Sequence, residues 1–228
     1  MKKINIAIEG PVASGKGTIA WQLAQKLDYL YMDTGALYRA LTLSCLDNNI
    51  DIKNEHEVTK FVNSLKLEYN QSLDTSKAKC QILVNGKDVT PLIRTQRIAD
   101  NVYYLAGYDK ARTAVINLER ELSSKKGTVI EGRAVIDEAM PDAELKIYLT
   151  ANILTRAKRR HADLIKIGEK ITLDEVTKRI EERDNYDQSR EFGRLTVHQE
   201  AFTLDTSDLT IDQVVDILYL KAHNKIIN

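Results

Sequence analysis

Gly10-Pro11-Val12-Ala13-Ser14-Gly15-Lys16-Gly17-Thr18 is the stretch whose reading decides the fold. Ahead of it, Lys3-Ile4-Asn5-Ile6-Ala7-Ile8-Glu9 is a short apolar run whose alternation predicts a strand. Behind it, Ile19, Leu23 and Leu27 fall on one face of a predicted helix. Strand, glycine-rich loop and helix, in that order, are the setting of a phosphate-binding loop. Glycines let successive backbone N–H groups point inward at a polyphosphate. The helix that begins there adds the positive end of its dipole. Lys16 can reach the outer phosphates, and Thr18 can offer its hydroxyl to phosphate or to water on Mg2+. In the common pattern the hydroxyl residue follows the lysine directly; here Gly17 intervenes.

Composition bounds the rest. A chain of 228 residues can bury a real core, as one domain or one plus an insert. Lys+Arg and Asp+Glu are both 33, so the formal net charge is zero, which argues against bulk nucleic-acid binding. A hydrophobic content of 43% suits a globular protein, and no stretch approaches the roughly 20 apolar residues of a membrane helix. Lys2-Lys3 leads straight into the loop region, so no signal peptide is expected. Cys45 and Cys80 lie far apart without metal-ligand spacing, which predicts reduced structural thiols and a cytoplasmic protein.

Further along, Tyr29-Leu30-Tyr31-Met32 predicts a short strand, Asp33-Thr34-Gly35 a turn and helix cap, and Ala36 to about Asn48 a helix. Arg39 sits one turn into that helix, where it can face an anion at the helix start. A short helix is expected from Glu57 to Leu65. Leu65–Tyr69 and Lys79–Val84 alternate, and Asn85-Gly86 is a hairpin turn with Lys87–Thr90 as its returning strand. A small antiparallel sheet is therefore inserted into an alternating α/β chain. Leu92 to about Ser123 is read as two helices broken near Gly107. Thr128-Val129-Ile130 is a buried-strand signal, and its end carries Glu131, Gly132 and Arg133. In an open parallel sheet those three face the cleft. Ala143–Leu149 is a strand, Asn152 to about Ile165 a cation-rich helix, and Leu173 to Asp184 another helix. Asp184 to Arg194 is charged and poor in apolar residues. Phe202–Thr206 and Thr210 to about His223 close the chain as strand and helix.

These residues resemble the bacterial-type cytidylate kinases, P-loop nucleoside monophosphate kinases, over essentially the whole chain. The likeness rests on Gly10–Thr18 with its Gly-Lys-Gly-Thr ending, Asp33-Thr34-Gly35-Ala36-Leu37-Tyr38-Arg39, the inserted sheet, Ile93-Arg94-Thr95-Gln96, Gly132-Arg133 and Glu182-Arg183-Asp184. The resemblance implies an α/β fold with a P-loop NTPase-type core: a parallel sheet with helices on both faces, a small antiparallel insert for the monophosphate, and a mobile lid. It places one unit over 1–228, with core segments 1–64 and 92–228, the insert at 65–91 and the lid at 162–194. It implies transfer of the γ-phosphoryl of ATP to CMP or dCMP, with Mg2+ held mainly through ATP phosphates and water, near Thr18. Gly10, Pro11, Val12, Ala13, Ser14, Gly15, Lys16, Gly17 and Thr18 would hold ATP, with Arg156 and Arg159 supplying cations to its phosphates. Thr34, Arg39, Tyr103, Arg112, Arg133, Arg183, Asp187 and Arg190 match positions around the acceptor nucleotide. Lys16, Arg133 and Arg183 would be catalytic. No nucleophilic side chain is required, because the acceptor phosphate oxygen attacks. Arginines suit the task because a planar guanidinium grips phosphate oxygens bidentately. A monomer is expected, with small molecules as partners and neither nucleic acid nor membrane.

The chain departs from the family at two places. Relatives read Asp-Gly-Arg-Asp where this chain has Glu131-Gly132-Arg133-Ala134, and Ile136-Asp137-Glu138-Ala139 replaces their following Gly-Thr-Val-Val. A serine of relatives that contacts the base aligns with Tyr103. Phosphate handling looks intact and base recognition looks rewritten. The competing expectations are the same scaffold acting on UMP or dTMP, and a nucleotide-binding regulator without catalysis.

Overall fold

The computed structural model describes residues 2–72 and 78–227; residues 73–77, which belong to the expected insert, and the two terminal residues lie outside it. The first half holds β1 (Ile6–Glu9), α1 (Lys16–Leu27), β2 (Leu30–Asp33), α2 (Thr34–Asp47), α3 (Glu55–Val62), β3 (Leu67–Gln71), β4 (Cys80–Val84) and β5 (Lys87–Asp88). Then follow α4 (Gln96–Ala99), α5 (Val102–Gly107), α6 (Asp109–Ser123), β6 (Thr128–Gly132), β7 (Leu145–Thr150), α7 (Ile153–Lys166), α8 (Leu173–Ser189), β8 (Phe202–Asp205) and α9 (Ile211–Ile227). No helix among these residues is long and apolar enough to cross a membrane.

Five parallel strands run in the order β2–β6–β1–β7–β8. The alternation expected of β1 gives way to burial on both faces, because it is the central strand. Ile6 and Ile8 pack with Ile19, Leu23, Val214 and Leu218 of α1 and α9. Ala7, Met32 and Ile130 pack the other way, against Leu37 and Leu41 of α2 and Val115 of α6. Helices thus cover both faces, and the strand register sets the site. Asp33 lies opposite Glu131, and Glu9 lies between Gly132 and Tyr148, so the C-terminal ends form one acidic and cationic rim.

The insert is a three-stranded antiparallel sheet, β3–β4–β5. Asn85 and Gly86 take φ of 52° and 78°, the two left-handed residues of a tight hairpin turn. Tyr69 fastens this sheet to the core: its hydroxyl donates to the Tyr31 carbonyl at 2.9 Å and accepts from the Asp33 amide at 3.1 Å. Cys45 and Cys80 are both buried and free.

Two helical readings need correction. The segment expected as two helices has the break at Gly107 but also one at Asp100-Asn101, where the Asn101 side chain takes over the Arg97 carbonyl at 2.8 Å. The helix expected to stop at Asp184 continues to Ser189. In its charged second half Asp187 is buried and Asp184 mostly covered, both in ion pairs, so charge there marks an inward face.

Candidate functional site

The loop between β1 and α1 is built around backbone that larger residues cannot adopt. A Cβ on Gly10 would sit 2.1 Å from the Leu149 carbonyl oxygen, so the chain can pass β7 only as glycine. Ala13 at φ 59° and Gly15 at φ 90° turn the following amides inward. The Ser14 hydroxyl is buried with no hydrogen-bond partner among the described residues. Lys16 donates to the Pro11 carbonyl at 3.2 Å and forms no ion pair among the described residues. Burial, aided by the Arg133 charge, pulls its ammonium down to about 8. Such a lysine gains most from an anion brought to the loop.

Arg156 and Arg159 of α7 hold the loop from behind. Arg156 reaches the Val12 carbonyl at 3.2 Å, the Ala151 carbonyl at 3.0 Å and the Asp184 carboxylate at 2.7 Å. Arg159 donates to the Thr206 carbonyl and hydroxyl at 2.7 and 3.0 Å, and the Thr206 hydroxyl in turn donates to the Ser14 carbonyl at 3.3 Å.

On the rim toward the insert, Asp33 caps α2 through the Ala36 amide and pairs with Arg94 at 3.1 Å. Glu131 is buried between cations. Its carboxyl is pushed up to about 7 by burial and the Asp33 charge, against the pull of Lys16, Arg133 and Lys79. Arg39 is half-buried and makes no hydrogen bond or ion pair among the described residues; burial draws its pKa down, with Asp33, Arg94, Arg160 and Arg183 the charges around it.

The opposite rim is a cluster around Asp187, which is fully buried. Arg133 lies 2.5 Å from it, Arg183 3.2 Å and Arg190 3.3 Å. One carboxylate thus faces three guanidiniums. The Arg133 Nε–H, though close, makes no hydrogen bond to the carboxylate, and Nε and Nη2 of Arg190 also lack a hydrogen-bond partner among the described residues. These are donors in search of further oxygens. Arg183 and Arg190 lie against the Tyr186 ring, at 5.7 and 5.6 Å from its centre.

The remaining expected positions are engaged by protein groups. Thr34 donates its hydroxyl at 2.5 Å to Glu119, a carboxyl that burial pushes up to about 7. Arg112 is 3% exposed, is clasped by Glu138, donates to the Ala106 carbonyl at 2.7 Å and lies over the Tyr38 ring. Tyr103 packs on Tyr104 and edge-on to Tyr186, whose hydroxyl donates to the Tyr103 carbonyl at 3.0 Å. Ala134 is buried, with a left-handed φ of 58°, at the start of a single π-helical turn over Val135–Ala139.

Arg133, Arg183 and Arg190 therefore meet at Asp187, and Lys16 of the loop feels the charges of Arg133 and Asp187, while Arg112 and Thr34 are held by Glu138 and Glu119. Reading residues singly gives no signal for Glu119 or Glu138, each an acidic residue on a helical turn, nor for Lys79. That lysine precedes β4, yet its ammonium lies 3.1 Å from the Gly17 carbonyl.

A sequence model of the family described as "Cytidylate kinase" matches residues 6–224. A cytidylate kinase of Bacillus cytotoxicus is 39% identical over 214 residues, covering 94% of this chain and 93% of that protein. One from Bacillus thuringiensis is 37% identical over the same shares. A solved shikimate kinase from Acinetobacter baumannii superposes more loosely, with a TM-score of 0.45 and 17% identity over 98% of this chain and 96% of that one. With a family match spanning the site and both relatives aligned over nearly their whole length, the chain belongs to the cytidylate kinase family of nucleoside monophosphate kinases.

Proposed function

We propose that this kinase transfers the γ-phosphoryl group of ATP to CMP or dCMP by direct in-line attack of the acceptor phosphate. One observation carries the reading: two cationic groups stand at the C-terminal rim of the sheet, close enough for Arg133 and Asp187 to act on Lys16. The first is the glycine-rich loop with Lys16. The second is the Asp187 cluster, where three guanidiniums outnumber one carboxylate and buried donors lack hydrogen-bond partners among the described residues. Arg133 links them, since its charge is felt at Lys16. A reaction between two phosphate groups needs that placement, together with neutralisation of the charge on the transferring group. In this reading Lys16 holds the donor's outer phosphates, Arg133 spans donor and acceptor, and Arg183 and Arg190 grip the acceptor. Arg39 adds a cation without a hydrogen-bond or ion-pair partner among the described residues. Arg156 and Arg159 act on the donor side through the loop they brace.

Mg2+ fits the donor chemistry. Among the described residues no group of three or more His, Cys, Asp or Glu could hold a metal unaided. Thr18 and Glu131 line the same cleft with Asp33, as hard oxygens beside the loop. That set suits a cation carried mainly by phosphate oxygens and water, which would neutralise charge building on the phosphates.

The base side favours a second reading, relaxed base preference. A methyl group stands at 134, and Tyr103 is held in an aromatic cluster. A coupled assay of ADP release with CMP, dCMP, UMP and dTMP tests both. Turnover of CMP or dCMP is expected. Turnover of none would leave only a nucleotide-binding regulator.

A further inference from the structure

The wide cleft of about 1490 Å³ between loop and insert has Lys79 on its wall. The lysine arrives from the inserted sheet, immediately before β4, and donates to the Gly17 carbonyl at 3.1 Å. Gly17 is the residue that separates Lys16 from Thr18. Glu131 also stands close to Gly17: a Cβ there would lie 3.1 Å from a Glu131 carboxylate oxygen. The Lys79 ammonium also lies 5.3 Å from the centre of the Trp21 ring and 6.0 Å from that of Tyr31. Glu131 is thus flanked by two lysines, Lys16 and Lys79, with Gly17 between them.

A cation near a helix N-terminus is disfavoured by the dipole and by the neighbouring Lys16. Lys79 stays because Glu131 and Asp33 offset its burial, which by itself draws the ammonium down. The arrangement has a consequence for Lys16. An undivided Glu131 charge would compete with phosphate for the Lys16 ammonium, whereas a charge shared with a second lysine competes less.

We propose that Lys79 is a positioning residue of the phosphate site: it fixes the Gly17 peptide from outside and shares the Glu131 charge, leaving the Lys16 ammonium free for the donor phosphates. This rests on the reading of the loop as the ATP site. It makes the insert, otherwise an acceptor-side element, part of donor binding.

Trp21 is the only tryptophan of the chain, so intrinsic fluorescence reports on this ammonium. In the full chain, Lys79→Met should raise KM for ATP about tenfold at saturating CMP, the worth of one charge-assisted hydrogen bond. The change in kcat should stay within about threefold. Lys79→Arg, which keeps charge and donor, should restore KM to near the parent value. Lys79→Met should also shift Trp21 emission before nucleotide is added and blunt its response to ADP. Lys79→Gln keeps a donor but no charge; an intermediate KM fits the division of labour above. An unchanged KM for ATP in Lys79→Met, or a fall in kcat alone, overturns the proposal while the ATP reading stands. Absence of ATP turnover in the unmodified chain overturns that reading itself. Matching thermal melts of the variants and parent exclude loss of the insert's fold as the cause.

Discussion

Single residues show where charge has been left uncommitted. Lys16 has one carbonyl partner and no ion pair among the described residues, so its binding energy is available to phosphate. Lys16→Ala should lower kcat by about 10²–10³, the worth of one preorganised charge in the transition state, with little change in melting temperature. Near-normal turnover would remove the loop from the mechanism. Ala134 poses the opposite case. Its left-handed backbone suits Asp better than Ala, so Ala134→Asp adds a carboxylate without backbone strain. Cytosine presents an amine where uracil and thymine present a carbonyl. An unmatched polar contact costs about 1–3 kcal/mol. The unmodified chain should therefore prefer CMP over UMP only weakly, and Ala134→Asp with Tyr103→Ser should raise the kcat/KM ratio tenfold to a hundredfold. A strong CMP preference in the parent, or an unmoved ratio in the double variant, counts against it. At this scale glycine spacing made the loop legible, and three of the arginines singled out in the sequence do meet, at Asp187. The Glu138 clasp on Arg112 was not, because it joins residues 26 apart through a π-turn that no pattern announces.

At the scale of elements, strands and loop were readable because apolar runs end at glycine or a helix cap. The α7–α8 pair was read less well. Its charge was read as cations for the donor and as a charged segment poor in apolar residues, with no sign of pairing inside the protein, yet Arg156–Asp184 and the Asp187 cluster turn it inward. Its own buried apolar core is small, Ala157, Leu164, Val176 and Ile180, with the partly buried Ile153, Ile171 and Leu173 and with Val12 and Ala13 of the loop packed against it. A unit held by ion pairs and so small a core opens more easily than the sheet. We expect residues 162–194 to behave as a lid, with amide exchange slowed when ATP and CMP are both present; equal exchange with and without them would argue for a fixed element. The cluster makes a sharper prediction. Asp187→Ala leaves three guanidiniums without their carboxylate, and breaking a buried pair costs about 3–5 kcal/mol. Added inorganic phosphate should recover part of that loss, raising the melting temperature of the variant more than that of the parent. Equal shifts would show that the cluster is not an anion site.

Across the whole molecule, packing a parallel sheet between helices has buried carboxyls, and three of them are shifted far upward. Glu9, Glu119 and Glu131 are each raised from 4.5 to about 7, with burial the largest cause. Glu9 takes the Ile136 amide at 2.7 Å and Glu119 the Thr34 hydroxyl at 2.5 Å, which offsets only part of the desolvation. The sign follows from proton counting. Between about 4.5 and about 7 the folded chain binds more protons than the unfolded one, so stability falls as pH rises through that window. Lys16, lowered from 10.5 to about 8, works the other way above it: the unfolded chain then binds more protons, and stability recovers. The protein alone should therefore be least stable between about pH 7 and 8. Glu119 offers the cleanest test, since it touches neither the loop nor the Asp187 cluster. Glu119→Gln keeps an acceptor for Thr34 and removes the titration. At pH 5 the variant and parent should unfold at the same urea concentration. At pH 8 the variant should be the more stable, by up to about 3 kcal/mol, the full worth of a shift of that size. A difference of equal size at both pH values would mean that Glu119 is charged in the folded protein throughout, and that the cost of burying it is met by partners other than its own proton.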